Sequence, residues 1–260
     1  HALAVRSDAG AEAGCDGRCE VGRGAVMRPF WKYYGGKWRL APTYGKPRGD
    51  VIIEPFAGSA GYSVRFNAPR VILIDSDPVV VAVWRYLIGA SAIEINALPD
   101  IAVNTTVDDY GLCQEAAWFV GFWMNSGVPT PRKSPSAWVR SEKRRKGSWG
   151  PVVRSRIASQ LQDIRHWDVA HGPYTSAPDI AATWFVDPPY QGRRGAAYRH
   201  GSKNLDYEAL ALWCRSRKGN AIVCEAEGAK WLPFSAHRVA KTARSKPCPE
   251  VVWASKMGGE

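Results

Sequence analysis

The sequence predicts an α/β domain built on a doubly wound, mostly parallel sheet, and three observations predict it. Short continuous apolar runs recur: VIIEPF (Val51 to Phe56), RVILID (Arg70 to Asp75), ATWFVD (Ala182 to Asp187) and NAIVCEA (Asn220 to Ala226). Runs of this kind belong to strands buried on both faces, whereas a half-exposed strand alternates apolar with polar residues. Helix-like stretches separate the runs, as in PVVVAVWRYLIG from Pro78 and the amphipathic DYEALALWCRSR from Asp206. Parallel strands joined by helical crossovers give that rhythm. Finally, two runs end on a carboxylate, Asp75 and Asp187, and a third enters a glycine-containing turn. Ligands of such sheets bind beyond the carboxyl ends of the strands.

The 260 residues suffice for one large domain, or one domain with a substantial insertion. With 45% hydrophobic and 23% charged residues, the composition excludes a largely disordered chain. No apolar run approaches the ~20 residues that span a bilayer. No early charged-then-apolar pattern marks a signal peptide, so a soluble, cytoplasmic protein is expected. Cys15, Cys19, Cys113, Cys214, Cys224 and Cys248 form no C-x-x-C pair and no Cys/His ligand spacing, so no metal is expected. A net charge of +11 points to a polyanionic partner such as nucleic acid.

In chain order, residues 1–26 are rich in Gly, Ala and charge, without periodicity, and read as a tag, a misplaced start or a flexible arm. KYYGGKWRL follows, where Gly35 and Gly36 permit a tight loop, Lys37 is a donor, and Tyr33, Tyr34 and Trp38 are stacking surfaces. This is either a surface turn or a ligand clamp. EPFAGSAGYSVRF joins a strand to a helix, and Gly58 and Gly61 let its backbone turn tightly and approach a ligand. The helix start would offer N–H groups to an anion, unless the turn is merely tight. The pattern departs from G-x-G-x-x-G and lacks G-K-[ST]. Asp75 either accepts from ribose hydroxyls or caps the helix that DSDP introduces.

The rhythm breaks over 125–156, a stretch rich in Pro, Gly and cations, with Trp138 and Trp149 interleaved. It reads as an insertion whose cations contact phosphates, or as a solvated loop. In DPPY, the two prolines stiffen the loop and remove two backbone donors. The Asp187 carboxylate and the Pro188 carbonyl can then both accept from one amine, with Tyr190 stacked on the ring that carries it. EVVWAS supplies a last strand.

KYYGGK, EPFAGSAG, the strand-end Asp75 and VDPPY occur in an order that resembles the DNA adenine methylase (Dam-like) family of S-adenosylmethionine-dependent N6-adenine methyltransferases. The resemblance covers about Arg28 to the C-terminus and implies a class I methyltransferase-like, Rossmann-like domain over 27–117 and 171–260. A target-recognition insertion would span 118–170. S-adenosylmethionine would be held by Tyr33, Lys37, Glu54, Pro55, Phe56, Ala57, Gly58, Ser59, Asp75 and Asp187. Asp187, Pro188, Pro189 and Tyr190 would be catalytic, holding an adenine flipped out of the stack. Arg132, Lys133, Arg140, Lys143, Arg144, Arg145 and Lys146 would meet DNA. Double-stranded DNA is the implied partner, and a restriction nuclease of the same system is compatible with the family. The Asn-Arg-x-Gly signature of the family is matched only loosely by WMNSGVPTPRKS. An N4-cytosine or RNA adenine methyltransferase, or a non-catalytic nucleic-acid-binding subunit, are the alternatives.

Overall fold

The computed structural model describes residues 26–125, 127–140, 147–192, 195–237 and 249–255. The strands are β1 (Val51–Glu54), β2 (Arg70–Asp75), β3 (Asp168–His171), β4 (Ala182–Val186), β5 (Gly219–Ala226), β6 (Ser235–His237) and β7 (Glu250–Ala254). The helices are α1 (Gly61–Phe66), α2 (Pro78–Gly89), α3 (Ala92–Ala97), α4 (Gln114–Trp123), α5 (Ala137–Arg140), α6 (Pro151–Gln160) and α7 (Tyr207–Arg215).

The strands form one seven-stranded sheet in the order β3-β2-β1-β4-β5-β7-β6. All neighbouring pairs from β3 to β5 are parallel, and β7 runs antiparallel to both β5 and β6. That is the arrangement of the class I methyltransferase fold. The chain winds outward from β1 to β2 and β3, then returns to β4 on the other side of β1. The carboxyl ends of β1 and β4 therefore flank the switch point, where open α/β sheets bind ligands.

The apolar runs are continuous because the sheet is covered on both faces. Ile52, Leu73 and Phe185 face a core shared with α1, α2, α4 and α6, centred on Phe30, Trp31 and Trp84. The alternate residues Ile53, Ile72, Ile74, Trp184 and Val186 face a second core under Leu210 and Cys214 of α7. Register aligns Ile53 with both Ile72 and Trp184, so β1 is paired on both sides.

Two predicted strands are shorter than read. β1 stops at Glu54 and β4 at Val186, each within a residue of a proline that has no N–H for the ladder. The edge strands β3 and β6 lack the apolar run, since most of their residues are exposed. Of the 118–170 stretch, α4 and α6 contribute Phe119, Phe122, Val153 and Ile157 to the first core, and β3 ends the sheet beside β2. α2 starts where Asp77 accepts from the Val79 N–H at 2.9 Å, with Pro78 in the first turn. Among the described residues no helix is long and apolar enough to cross a membrane.

Candidate active site

A cavity of about 230 Å³ opens at the carboxyl ends of β1, β2 and β4. One wall is the glycine turn after β1. Gly58 adopts φ +46°, and a Cβ there would lie 2.8 Å from Tyr33 Cε1. Both the conformation and the contact require glycine. Gly61 is demanded by another approach, because its Cβ would meet the Trp38 nitrogen at 2.6 Å. The Gly-Gly-Lys loop therefore lies directly on the start of α1.

Asp75 locks this wall to β2. Its Oδ2 accepts from the Gly58 N–H at 2.8 Å and its Oδ1 from the Asp77 N–H at 2.8 Å. The side chain that caps α2 is Asp77, so Asp75 is not the cap. Burial pushes the Asp75 carboxyl up to about 6, although both backbone hydrogen bonds oppose the rise. Glu54 is buried at the end of β1, where its Oε1 accepts from the Ser63 N–H at 2.7 Å. One of the N–H groups of α1 is thus taken by the protein itself. Burial raises Glu54 to about 8, so at neutral pH it is mostly a neutral acid.

The opposite wall is formed around Asp187. Lys37 Nζ lies 2.9 Å from Asp187 Oδ2, donates to the Gly35 carbonyl at 2.9 Å, and sits 3.6 Å from Glu250 Oε1. Burial alone would lower the lysine, but Asp187 and Glu250 outweigh it and hold Lys37 charged, above its ordinary range. Burial raises the Asp187 carboxyl, and Lys37 acts against that rise. The other oxygen, Asp187 Oδ1, is buried and has no hydrogen-bond partner within normal distance among the described residues, with the Tyr190 hydroxyl the nearby side chain that also steadies the carboxylate. A buried acceptor left unpaired carries its desolvation cost with no return, unless a ligand supplies the donor.

The rest of DPPY is fixed from behind. The Tyr190 hydroxyl donates to Glu250 Oε1 at 3.1 Å, and the Lys37 ammonium lies 4.9 Å from the Tyr190 ring centre. The Pro189 carbonyl accepts from the Tyr207 hydroxyl at 2.5 Å. Glu225, fully buried, accepts from the Gln191 and Ala226 N–H groups and from Trp231 Nε1. It anchors the loop that follows Tyr190.

Tyr33, Lys37, Glu54, Phe56, Ala57, Gly58, Ser59, Asp75, Asp187 and Pro189 all line the cavity; Pro55, Pro188 and Tyr190 do not. Sequence reasoning missed Tyr174, which stacks on Phe56 at 5.5 Å, and Tyr198, whose hydroxyl donates to the Tyr34 carbonyl at 3.0 Å. It also missed Glu250, which further accepts from the Tyr44 hydroxyl at 2.6 Å. Tyr198 sits only eight residues beyond Tyr190, within reach of a loop-based guess, but Glu250 opens a strand and carries no local signal. The basic set divides. Arg132 and Lys133 are exposed and line no part of the cavity, and Lys133 pairs with Asp108 at 2.5 Å. Arg140 borders a neighbouring groove. Lys143, Arg144, Arg145 and Lys146 lie outside the described residues. Among the described residues, no three His, Cys, Asp or Glu side chains gather as a metal site.

No family model matches the chain, and no curated protein matches it. Among solved structures it is similar to "Putative methyltransferase yhhF from Escherichia coli", at 12% identity over 85% of this chain and 81% of that one. The TM-score is 0.34, a likeness too loose to bear on function, so the fold assignment stands on strand order and direction.

Proposed function

We propose that this protein transfers a methyl group from S-adenosylmethionine to the exocyclic N6 amine of an adenine flipped out of DNA. The observation that carries the reading is Asp187 Oδ1, a buried acceptor without a donor among the described residues, just beyond the end of the strand beside the switch point. An exocyclic amine brings two N–H groups. Asp187 Oδ1 takes one, and the Pro188 carbonyl, which receives no hydrogen bond among the described residues, takes the other.

The amine lone pair of adenine is delocalised into the ring and attacks poorly. Two acceptors on its hydrogens favour a more tetrahedral nitrogen and face the positive charge that develops there. Lys37, held on Oδ2, acts against the burial-driven rise of the Asp187 carboxyl and so favours its ionised form. Glu250 holds Lys37 and the Tyr190 hydroxyl together behind Asp187, and the stacking role on the flipped base is the one the motif resemblance gives Tyr190.

The residues of the other wall suit the cofactor. Asp75 has lone pairs beyond those engaged by Gly58 and Asp77, available to adjacent ribose hydroxyls. Phe56, backed by Tyr174, and Tyr33 offer aromatic surface. S-adenosylmethionine, when bound, supplies a methyl group on a sulfonium that an amine can displace in line. The resemblance in motif order supports DNA adenine over the N4 amine of cytosine.

The test is transfer from labelled S-adenosylmethionine to unmethylated DNA, followed by nucleoside mass analysis. N6-methyldeoxyadenosine is expected. Label in cytosine or only in RNA would replace the substrate, and cofactor binding without any transfer would favour a binding subunit.

A further inference from the structure

A second concavity opens beside the Asp187 cavity. The two share Tyr33, Gly36 and Ser59, so one leads into the other. The groove encloses about 1430 Å³, beyond the ~300–1,000 Å³ usual for small-molecule pockets. Its walls are residues 28–39 on one side and α6 with the turn before it on the other.

The charge on these walls is one-sided. Arg28, Lys32, Arg39, Arg140 and Arg156 line the groove. Asp100 is the one acid among its described lining residues, and Arg154 already pairs with it. Two of these cations share one aromatic neighbour. Lys32 Nζ and the Arg156 guanidinium lie 5.4 and 5.9 Å from the Trp123 ring centre. Burial, then the proximity of Arg28, lowers Arg156 to about 10. Like charges gathered in this way oppose folding, and an anion relieves them.

The walls are tied together. Gln160 of α6 accepts from the Arg28 N–H at 2.8 Å and donates to the Arg28 carbonyl at 3.0 Å, and Arg156 donates to the Pro29 carbonyl at 3.0 Å. The groove is formed before any partner arrives.

We infer that this groove carries the sugar–phosphate backbone of duplex DNA past the Asp187 cavity, with Arg28, Lys32, Arg39 and Arg156 as its phosphate contacts. The inference rests on the nucleic-acid reading of the site and adds the path of the strand. It shifts the main phosphate contacts from Arg132 and Lys133 to the segments flanking the Gly-Gly-Lys loop and to α6.

The test measures binding of a short unmethylated duplex by fluorescence anisotropy across a salt series. The double variant Arg28→Gln/Arg39→Gln changes two exposed side chains and leaves the backbone bonds to Gln160 in place. Its affinity falls roughly tenfold at low salt, and its log–log salt slope becomes shallower by about 0.9 for each lost contact. Its S-adenosylmethionine affinity, measured by calorimetry, stays that of the wild type and reports an intact fold. Arg215→Gln, exposed at the end of α7, leaves both affinities unchanged. Wild-type slope and affinity in the double variant overturn the inference. So does an equal loss in Arg215→Gln, a wild type that binds cofactor but no duplex, or tighter binding of single-stranded RNA. A changed slope in a protein that methylates no DNA sinks the proposed reaction and leaves the groove standing.

Discussion

Lys37 Nζ lies 2.9 Å from Asp187 Oδ2 and 3.6 Å from Glu250 Oε1, so one buried cation serves two carboxylates, one just after β4 and one opening β7. Lys37→Met removes the charge that opposes the burial-driven rise of Asp187. A protonated Asp187 is a poorer acceptor for the amine, so activity is lost as pH falls through its pKa. The acid limb of the pH–rate profile therefore moves to higher pH in the variant. An unpaired buried charge also costs about 3–5 kcal/mol, which urea unfolding at alkaline pH would register. An unmoved acid limb would separate Lys37 from Asp187.

Gly58→Ala tests the cofactor wall. Its positive φ and the Tyr33 ring at 2.8 Å both resist a methyl group. A strained left-handed residue costs ~1–3 kcal/mol, and the turn must shift away from Asp75. Calorimetry should show S-adenosylmethionine affinity reduced by at least about tenfold, which is ~1.4 kcal/mol. Wild-type affinity would place the cofactor elsewhere.

Asp75→Asn keeps the size of the side chain but replaces one acceptor by a donor. Each carboxylate oxygen faces a backbone N–H, of Gly58 or of Asp77. One hydrogen bond must be lost, at ~1–3 kcal/mol for the unsatisfied group. Lowered thermal stability together with weakened cofactor binding is expected. Stability loss alone would reduce Asp75 to a structural brace.

Glu54 offers a pH test of stability. Burial raises it from 4.5 to about 8 in the folded protein, so between these values the folded state binds more protons than the unfolded state. Stability contributed by this group is full below its unfolded pKa and declines as pH rises toward 8. Glu54→Gln is neutral throughout and can still accept from the Ser63 N–H. Its Tm relative to wild type should rise by a few degrees between pH 5 and pH 8. A difference independent of pH would mean that Glu54 titrates normally.

The sheet was legible in sequence where burial on both faces made the runs continuous, as in RVILID, and where a cap and a proline marked a start, as at Asp77-Pro78. β3 and β6 were not, because their edge positions leave most side chains in water. At the site, local motifs exposed Gly58, Asp75 and Asp187, whose roles depend on immediate neighbours. Glu250 was hidden because its role depends on an antiparallel strand that returns beside Ala226. The groove was hidden for a similar reason: Arg28 and Arg156 are far apart in sequence and are brought together by the bonds of Gln160 to Arg28 and of Arg156 to Pro29.

The central claim is that Asp187 Oδ1 receives the amine of the base. Single-turnover methyl transfer to unmethylated DNA, wild type against Asp187→Asn, tests it most directly. The account predicts a rate lower by at least about 10²-fold, with S-adenosylmethionine binding still measurable by calorimetry. Transfer by Asp187→Asn within a few-fold of wild type would contradict it.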